Sequence, residues 1–294
     1  MHAPTTPLGT MTPAKITLYR VLQGPGASKH VWSPFVNKLE TRLRLAGVPY
    51  RLAEGSMRQA PRGKIPYISL DLNPDSVTGT GSENCTGTGT GTGAGGEMLG
   101  DTSLITKRLC AEGVMADLNK GLSGRERAVD CAVRALLEER LVFFLTRERW
   151  IDNYTTMRAG ALSALPWLMQ FIVGNLAYAN VKRTLYGQGT GRYTDDEVRD
   201  MKREAWESLD ALLSDARTKK GLGGADREGP FWVLGREEPT EADATVYGFV
   251  VASLICPAAP ETQKMVRSFP VLVDYARRIH ARYFSDYDLW EDEV

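Results

Sequence analysis

Short strand-like runs and one helical stretch alternate along the N-terminal part of the chain. Residues 15–21 alternate between apolar and polar side chains, which predicts a strand. From Pro34 onward, apolar residues recur with the spacing of one buried helical face, and Gly47 ends this helix. Residues 48–53 and 65–70 are predicted to form two further strands.

Residues 73–96 interrupt this pattern with a Thr-Gly repeat that occupies 86–93. A segment of this composition cannot bury a core, so we expect a flexible surface insertion. Apolar strand-like residues lie on both sides of it, at 65–70 and 97–99. The insertion is therefore predicted to extend the tip of a hairpin.

A second helix is expected after the hairpin, because Asp101 and Thr102 are suitable capping residues in front of a new apolar pattern. Its apolar positions are Leu104, Ile105 and Leu109. The N-terminal part is thus predicted as β-α-β followed by β-β-α, which is typical of a small mixed sheet with helices.

From residue 122 onward the pattern is helical throughout. In a capping box, a Ser or Thr side chain and an acidic side chain three residues later each satisfy a backbone amide, and such boxes begin at Ser123, Thr194 and Thr240. We expect Asp243 of the third box to accept a hydrogen bond from the amide of Thr240, in a structural role. The helix after it is almost uncharged and is therefore predicted to be central.

Two stretches of this helical part contrast in charge. Residues 159–181 carry no charged side chain. A helix spanning a membrane would have to satisfy Pro166, Gln170 and Asn175 in lipid, so we expect buried helices of a helical domain and no stable membrane insertion. The helix that begins near Ser123 is predicted to have a charged face that includes Arg127, Asp130, Arg134 and Glu138.

Composition narrows the class of protein. Lys plus Arg and Asp plus Glu both number 36, which argues against a general affinity for nucleic acid. The 4 cysteines are scattered and there are 3 histidines, so we expect reduced thiols, no metal site and a cytoplasmic location. No targeting pattern is visible at the N-terminus, and we predict a disordered leader at 1–14, a mixed α/β domain at 15–116 and a helical domain at 117–294.

Ser33 lies between a loop and the first helix, which is a position for a helix cap or for chemistry. With Pro34 as the first helical residue, a cap is a common arrangement. His30 lies three residues earlier, but no orienting carboxylate or nucleophile-elbow motif accompanies it. A Ser-His hydrolytic site is therefore disfavoured.

Several short motifs, taken in order and spacing, resemble one family. They are Ser33-Pro34-Phe35, Lys38-Leu39-Glu40, Gly63-Lys64-Ile65-Pro66, Asp101 with Ile105, Gly189-Thr190-Gly191-Arg192, Asp243-Ala244-Thr245-Val246-Tyr247-Gly248 and Arg282-Tyr283-Phe284. Over residues 15–287, apart from the insertion, the chain resembles the glutathione S-transferase-like superfamily and more closely its fax (failed axon connections)/metaxin-like branch. The resemblance implies a thioredoxin-like α+β domain with a mixed four-stranded sheet, followed by an all-α domain.

The resemblance also implies a glutathione site and no metal. Ser33 would donate a hydrogen bond to the glutathione sulfur and, with the positive end of the first helix, favour the thiolate. Pro66 in the cis form would let Ile65 offer its N–H and C=O to the cysteinyl part of the ligand. Lys64 would contact the glycyl carboxylate.

At the other end of the ligand, Asp101 and Thr102 would bind the γ-glutamyl group while also capping the second helix. The branch often has Cys where this chain has Val36, so no dithiol pair is present and glutaredoxin-like exchange is disfavoured. The second substrate would lie against the helical domain. Candidates for contacting it are Arg149, Trp150, Tyr154 and Trp167, although core packing is the favoured role of the aromatic ones.

The function that the resemblance implies is conjugation of glutathione to an electrophilic small molecule, as in detoxification, by a cytoplasmic enzyme that is expected to be a homodimer. A non-catalytic binding or adaptor protein on the same scaffold is the first alternative, motivated by Val36 and by the loop at 23–32. A biosynthetic transferase or isomerase for a specialised metabolite is the second.

Overall fold

The structure, a computed structural model, describes residues 14–21, 29–72, 96–221 and 229–290. The predicted leader, apart from Ala14, and the predicted insertion, apart from Gly96, lie outside the described residues. The described chain forms two compact units, the first made of 14–21, 39–72 and 96–117 and the second of 29–38, 118–221 and 229–290. The domain boundaries at 15–116 and 117–294 stay a prediction.

The first unit contains a mixed four-stranded sheet, as predicted. Its strands lie in the order β2-β1-β3-β4, in which β1 pairs parallel to β2 and antiparallel to β3, and β3 pairs antiparallel to β4. The strands are β1 (Lys15–Arg20), β2 (Arg51–Glu54), β3 (Tyr67–Asp71) and β4 (Glu97–Gly100). The predicted hairpin is therefore confirmed as the β3-β4 pair.

Two helices accompany this sheet, α1 (Pro34–Leu45) and α2 (Thr102–Ala111). Of the three apolar residues named for α2, Ile105 and Leu109 are buried, whereas Leu104 is 43% exposed. Ile105 and Leu109 are four residues apart and therefore lie on the same face of the helix. The core of this unit consists of Ile16, Leu18, Leu39, Leu43, Val48, Ile68, Leu70, Ile105, Leu109, Val114 and Met115.

A buried ion pair lies between β1 and α1. Arg20 Nη1 is 3.2 Å from Glu40 Oε2, and both side chains are shielded from solvent. The hydroxyl of Tyr50 donates to the other carboxylate oxygen of Glu40 at 2.8 Å. Because both oxygens have donors, the buried carboxylate is compensated, as a buried charge must be.

The described residues of the second unit from 118 onward form helices and no strand. Residues 124–152 are continuously helical but include two π-helical segments, Leu136–Leu141 and Glu148–Asp152, and Asn153 forms a turn before the next helix. The α-helices are α3 (Gly124–Ala135), α4 (Val142–Arg147), α5 (Tyr154–Ala161), α6 (Trp167–Gln188), α7 (Asp195–Lys219), α8 (Glu241–Ile255), α9 (Pro260–Arg267) and α10 (Pro270–Tyr283).

Helix α8 is the centre of this unit, as its uncharged sequence predicted. Every residue from Ala242 to Leu254 is buried. All three predicted capping boxes are present, and that of α8 has the amide of Thr240 donating to Asp243 Oδ2 at 2.7 Å. Asp243 also accepts from the amide of Val233 at 2.7 Å and from the hydroxyl of Tyr275 at 3.0 Å. The carboxylate therefore joins three segments around the start of α8.

The prediction that Asp130 belongs to a charged face is wrong, because this residue is fully buried. Its carboxylate accepts from the amide of Ala242 at 2.8 Å, from Asn119 Nδ2 at 2.8 Å and from Arg134 Nε at 2.9 Å. The donors from 119 and 242 are distant in sequence, so the helical pattern of α3 alone could not indicate them. Asp130 thus binds a first-turn amide of α8.

Helix α6 contradicts the prediction that residues 159–181 are buried. Of its 22 residues, the buried ones are Gly174 and Leu185. Trp167 is 80% exposed, so the core-packing role favoured for it is also wrong. Among the described helices, no single one is long and apolar enough to cross a membrane, although α8 and α9, bent by 119°, pass that test as a pair by length and composition.

Gly248 allows α8 to pass close to the first turn of α1. A Cβ atom at residue 248 would lie 2.6 Å from the carbonyl oxygen of Pro34 and 2.6 Å from the backbone nitrogen of Lys38. These are backbone atoms within a helix, so they cannot move aside as the end of a flexible side chain would. Only glycine permits this approach.

We predict that Gly248→Ala lowers the free energy of unfolding by about 3 kcal/mol, because the added methyl group overpacks a rigid contact. The matched control is Gly187→Ala in α6, where a Cβ atom would meet nothing within 4 Å. That variant should be unchanged or gain about 0.5 kcal/mol from helix propensity. Urea unfolding followed by circular dichroism compares them, and equal effects would contradict the packing argument.

A second prediction concerns the Asp243 carboxyl. Asp243→Ala leaves the buried amides of Thr240 and Val233 without their acceptor, so we expect a loss of about 3 kcal/mol in the free energy of unfolding. Burial raises the pKa of this carboxyl from 3.8 to about 6. The folded state therefore holds a proton that the unfolded state has released, and the stabilisation by Asp243 falls as the pH rises from 3.8 to about 6.

The control for Asp243→Ala is Glu197→Ala, which removes the acidic member of the exposed box of α7. Hydrogen bonds from Thr194 lower the pKa of Glu197, so its stabilisation is present above the unfolded-state pKa and is lost as the pH falls. Urea unfolding at several pH values should thus give opposite trends for the two variants. Parallel trends would contradict the prediction.

Candidate functional site

The segment that carries Ser33 is fixed by a side chain of the helix that follows it. Asn37 is buried in the first turn of α1, where its Oδ1 accepts from the amide of Val31 at 3.1 Å and its Nδ2 donates to the carbonyl of Val31 at 2.8 Å. An amide side chain matches the donor and acceptor of one backbone residue in this way. The approach to α1 therefore has one defined path.

Arg149 holds the next residue of the same segment. Its Nη1 donates to the carbonyl of Trp32 at 2.9 Å, and its Nη2 donates to the carbonyl of Ala252 in α8 at 3.2 Å. The guanidinium is buried, and its planar fork directs two donors to two carbonyls at once. The Trp32 ring packs so closely on Gly160 that residue 160 has no room for a side chain.

Lys38 ties the first turn of α1 to α8 through a shared carboxylate. Its Nζ lies 2.6 Å from Glu138 Oε1, and the hydroxyl of Thr245 donates to the same oxygen at 3.0 Å. Glu138 was predicted on a charged face of its helix, and it is mostly buried beside these two partners. Backbone and side-chain contacts together thus position the start of α1.

The hydroxyl of Ser33 is half-buried and, among the described residues, makes no hydrogen bond to the first amides of α1. Its carbonyl accepts from the amide of Asn37 at 3.3 Å, which begins the helical pattern. The cap interpretation therefore lacks its side-chain hydrogen bond. The catalytic role of Ser33 stays a prediction.

His30 is engaged elsewhere, which agrees with the disfavoured hydrolytic site. Its Nε2 lies 3.2 Å from His280 Nδ1 and 3.2 Å from the hydroxyl of Tyr247. The rings of Phe284 and Tyr287 pack against the same imidazole. His30 is thus part of a buried aromatic cluster of the second unit.

In the first unit, the peptide bond between Ile65 and Pro66 is cis, as expected. Neither the N–H nor the C=O of Ile65 forms a hydrogen bond with another described residue. Both groups are therefore available to an extended ligand, in the manner of strand addition. Lys64 is exposed immediately before them.

Asp101 caps α2, as predicted. Its Oδ1 accepts from the amides of Ser103 at 3.0 Å and Leu104 at 3.1 Å. Asp101 has φ 76°, which is uncommon for a residue other than glycine and costs about 1–3 kcal/mol. Thr102 is buried as the first residue of α2. Strain of this kind is concentrated at functional positions.

Strand register brings these two predicted binding segments together. In the antiparallel β3-β4 pair, Tyr67 is opposite Gly100. Because Pro66 precedes Tyr67 and Asp101 follows Gly100, the cis-proline segment and the α2 cap lie at the same end of the sheet. Ser33 belongs to the second unit, and its predicted role with these residues stays a prediction.

The hydrogen bonds by which the side chains of Asn37 and Arg149 hold the backbone of this region were not predicted. Arg149 was a candidate for contacting a second substrate, but the contacts shown for it are with carbonyl groups of the protein. Arg149 lies among other charged residues of the sequence, beside Arg147 and Glu148, so its local sequence carries no signal of such a role. Among the described residues, no group of three or more His, Cys, Asp or Glu is arranged to hold a metal ion.

We predict that Arg149→Met lowers the free energy of unfolding by about 3 kcal/mol, since two carbonyl groups lose their donor. Hydrogen exchange at the amides of 31–33 should become faster than in the wild type. The control is Arg140→Met, which removes an arginine that is 47% exposed and paired with the exposed Glu204 at 3.5 Å. That variant should lose less than about 1 kcal/mol. Equal losses would contradict a positioning role for Arg149.

Two family models match the chain. Residues 34–85 and 92–157 match the glutathione S-transferase N-terminal domain, and residues 230–279 match the glutathione S-transferase C-terminal domain. Failed axon connections of Drosophila melanogaster is 25% identical over 87% of this chain and 55% of its own length, so the chain spans only about half of that relative. Metaxin-2 of Homo sapiens is 22% identical over 93% of this chain and 90% of its own length.

Solved structures of glutathione transferases share the fold. One from Phanerochaete chrysosporium aligns with a TM-score of 0.52 and 14% identity, covering 92% of this chain and 98% of its own. Another, from Methylobacterium radiotolerans in complex with glutathione sulfonate, has a TM-score of 0.50 and 14% identity, covering 95% and 97%. At this identity the likeness shows the fold alone. The two family models show that the chain belongs to the glutathione S-transferase-like superfamily, and its relatives Failed axon connections and Metaxin-2 belong to the fax/metaxin-like branch.

Proposed function

We propose that this protein binds glutathione and conjugates it to an electrophilic small molecule, with Ser33 assisting the thiolate. The observation that supports the proposal is the sheet register, because Ile65, whose N–H and C=O bond to no other described residue, lies at the same end of the sheet as the strained cap at Asp101. An extended peptide with a carboxylate and an ammonium at one end fits such an arrangement. The structural neighbour from Methylobacterium radiotolerans, which was solved with glutathione sulfonate, supports the choice of ligand.

The binding half of the proposal uses the first unit. Ile65 would pair with the cysteinyl residue of glutathione through its N–H and C=O, and Lys64 would bind the glycyl carboxylate. The Thr102 hydroxyl and the N-terminal end of α2 would bind the γ-glutamyl carboxylate, since the helix dipole favours an anion there. Asp101 would attract the neighbouring ammonium with its carboxylate while its Oδ1 keeps the cap.

The chemical half of the proposal assigns one step to Ser33. Its hydroxyl would donate to the glutathione sulfur and stabilise the thiolate, and the thiol proton would pass to water. The thiolate sulfur then forms a bond to the electrophilic carbon. In a substitution, the electron pair of the broken bond departs with the leaving group; in an addition, it stays on the electrophile, which takes up a proton from water. The motif Ser33-Pro34-Phe35-Val36 contains no cysteine that could form a disulfide with glutathione. The proposed step is therefore the transfer of glutathione to the electrophile.

The proposal includes a cytoplasmic location, since glutathione maintains reduced thiols there. Homodimer formation and a role in detoxification are parts of the same proposal.

A non-catalytic binding protein is the second candidate. It is favoured by the names of the two relatives, neither of which is named as a transferase. On this scaffold it would retain the binding half described above and lack the thiolate step. Binding and turnover must therefore be measured separately.

We expect calorimetry to show glutathione binding to the full chain, and Ser33→Ala to leave the affinity within about threefold. The same variant should lower conjugation of a model electrophile by about tenfold to a hundredfold, which corresponds to one hydrogen bond to a charged sulfur. It should also return the pKa of the bound thiol toward about 8.5, as measured by thiolate absorbance against pH. Ser208→Ala, at an exposed serine of α7, is the control.

Asp101→Asn tests the binding half, because asparagine retains the cap and tolerates a positive φ but has no charge. We expect it to weaken glutathione binding by about tenfold with little change in the free energy of unfolding. Absence of binding by the wild type at millimolar glutathione would overturn the whole proposal. Binding without turnover, unaffected by Ser33→Ala, would favour the second candidate instead.

A further inference from the structure

Helix α6 presents a continuous apolar surface to solvent. Trp167 is 80% exposed and Leu176 is 68% exposed, and the residues between them include four more large apolar side chains that are at least 44% exposed. Large apolar surfaces of this kind mark interaction sites. We define the α6 apolar face as Trp167, Leu168, Met169, Phe171, Ile172 and Leu176.

The helix contacts α5 of the second unit near its middle. The hydroxyl of Tyr154 in α5 donates to Asn175 Oδ1 at 2.9 Å, and a Cβ atom at Gly174 would lie 2.7 Å from the same hydroxyl. The guanidinium of Arg158 lies 5.8 Å from the centre of the Phe171 ring, so one residue of the α6 apolar face also contacts α5. These contacts leave every residue of the α6 apolar face at least 44% exposed.

The charged residues of α6 itself, Lys182 and Arg183, have one sign. Residues 153–194 contain no Asp or Glu, although the whole chain has 36 acidic residues. The same range contains four basic residues. They are Arg158, Lys182, Arg183 and Arg192. The complementary partner is thus apolar and anionic.

A second copy of this chain fits these charges poorly. In a twofold dimer the same patch faces itself, so Lys182 and Arg183 of each copy would face a helix that carries no carboxylate. No carboxylate within 153–194 is present to compensate them. Insertion of α6 across a membrane is also disfavoured. No single described helix is long and apolar enough to span a bilayer, and Asn175 and Asn180 lie in the exposed part of α6.

We propose that the α6 apolar face binds to the surface of an anionic lipid membrane. Helices that lie in the membrane interface combine Trp, Phe and Leu side chains with Lys and Arg, which bind acyl chains and headgroups respectively. Trp167 and Lys182 are 15 residues apart, about 22 Å along the helix axis. The Trp167 end therefore enters the interface, while Lys182 and Arg183 contact lipid phosphates. This is reversible adsorption and differs from insertion across the bilayer.

The test is flotation of the full chain with vesicles. We expect binding to vesicles of phosphatidylcholine with about a third phosphatidylserine and weak binding to phosphatidylcholine alone. Raising the ionic strength from about 0.05 M to about 0.5 M should release the protein, because the screening length falls about threefold. Glutathione is not required, so failure here and failure of the proposed enzymatic function are separate results.

Two sets of variants examine the face itself. Trp167→Gln combined with Leu176→Gln should lower the fraction bound by about tenfold, and Lys182→Gln combined with Arg183→Gln should remove the dependence on salt. Met57→Gln is the control, because it changes an apolar residue that is 65% exposed in the first unit. All the substituted positions are exposed, and circular dichroism checks that each variant folds.

The proposal is overturned if the wild type does not bind anionic vesicles or if the Trp167 and Leu176 variant binds as well as the wild type. Sedimentation equilibrium provides a further decisive outcome. A dimer that dissociates in that variant, together with no vesicle binding, would assign the α6 apolar face to a second copy and overturn the lipid assignment. Loss of vesicle binding in that variant alone, with Met57→Gln unaffected, supports it.

Discussion

The close approach of α8 to the first turn of α1 is the constraint on which the position of Ser33 depends. Gly248 permits the two backbones to meet, and Arg149 joins the carbonyl before Ser33 to a carbonyl of α8. Asn37 fixes the preceding loop residue from within α1. These contacts use backbone atoms, so they define the path of the chain more strictly than side-chain packing would. They hold the backbone next to Ser33, and a defined position is what the proposed donor role of its hydroxyl requires.

Buried carboxylates organise the helical unit around α8. Asp243 caps the helix and accepts from Val233 and Tyr275, while Asp130 accepts the amide of Ala242 from the neighbouring α3. Negative groups at a helix N-terminus satisfy amides that have no partner within the helix. The stability of the unit depends strongly on these hydrogen bonds, because a buried amide that loses its acceptor cannot donate to water instead. The motif from 243 to 248 thus combines a cap with the close contact of Gly248.

Predictions from local pattern succeeded where the cause is local. Several features follow from residues within a few positions of each other. They are the order of strands and helices in the first unit, the helix after Pro34, the cap at Asp101 and the capping boxes at Ser123, Thr194 and Thr240. The predicted exposure of Asp130 and the predicted burial of residues 159–181 were wrong, because burial depends on partners distant in sequence. The role of Arg149 could not be predicted for the same reason. The binding residues could be proposed from the resemblance, but not their geometry.

Local sequence pattern was enough to predict the four strands, the helices after Pro34 and Asp101 and the capping boxes, and the ordered motifs indicated the family. Tertiary structure decided which apolar residues are buried, most clearly in α6, whose uncharged sequence is that of a core helix but whose side chains from Trp167 to Leu176 are largely exposed. It also decided that Pro66 and Asp101 share one end of the sheet, through the pairing of Tyr67 with Gly100. The physical reason is common to both: periodicity determines which residues share a face, but only packing and register determine what that face meets.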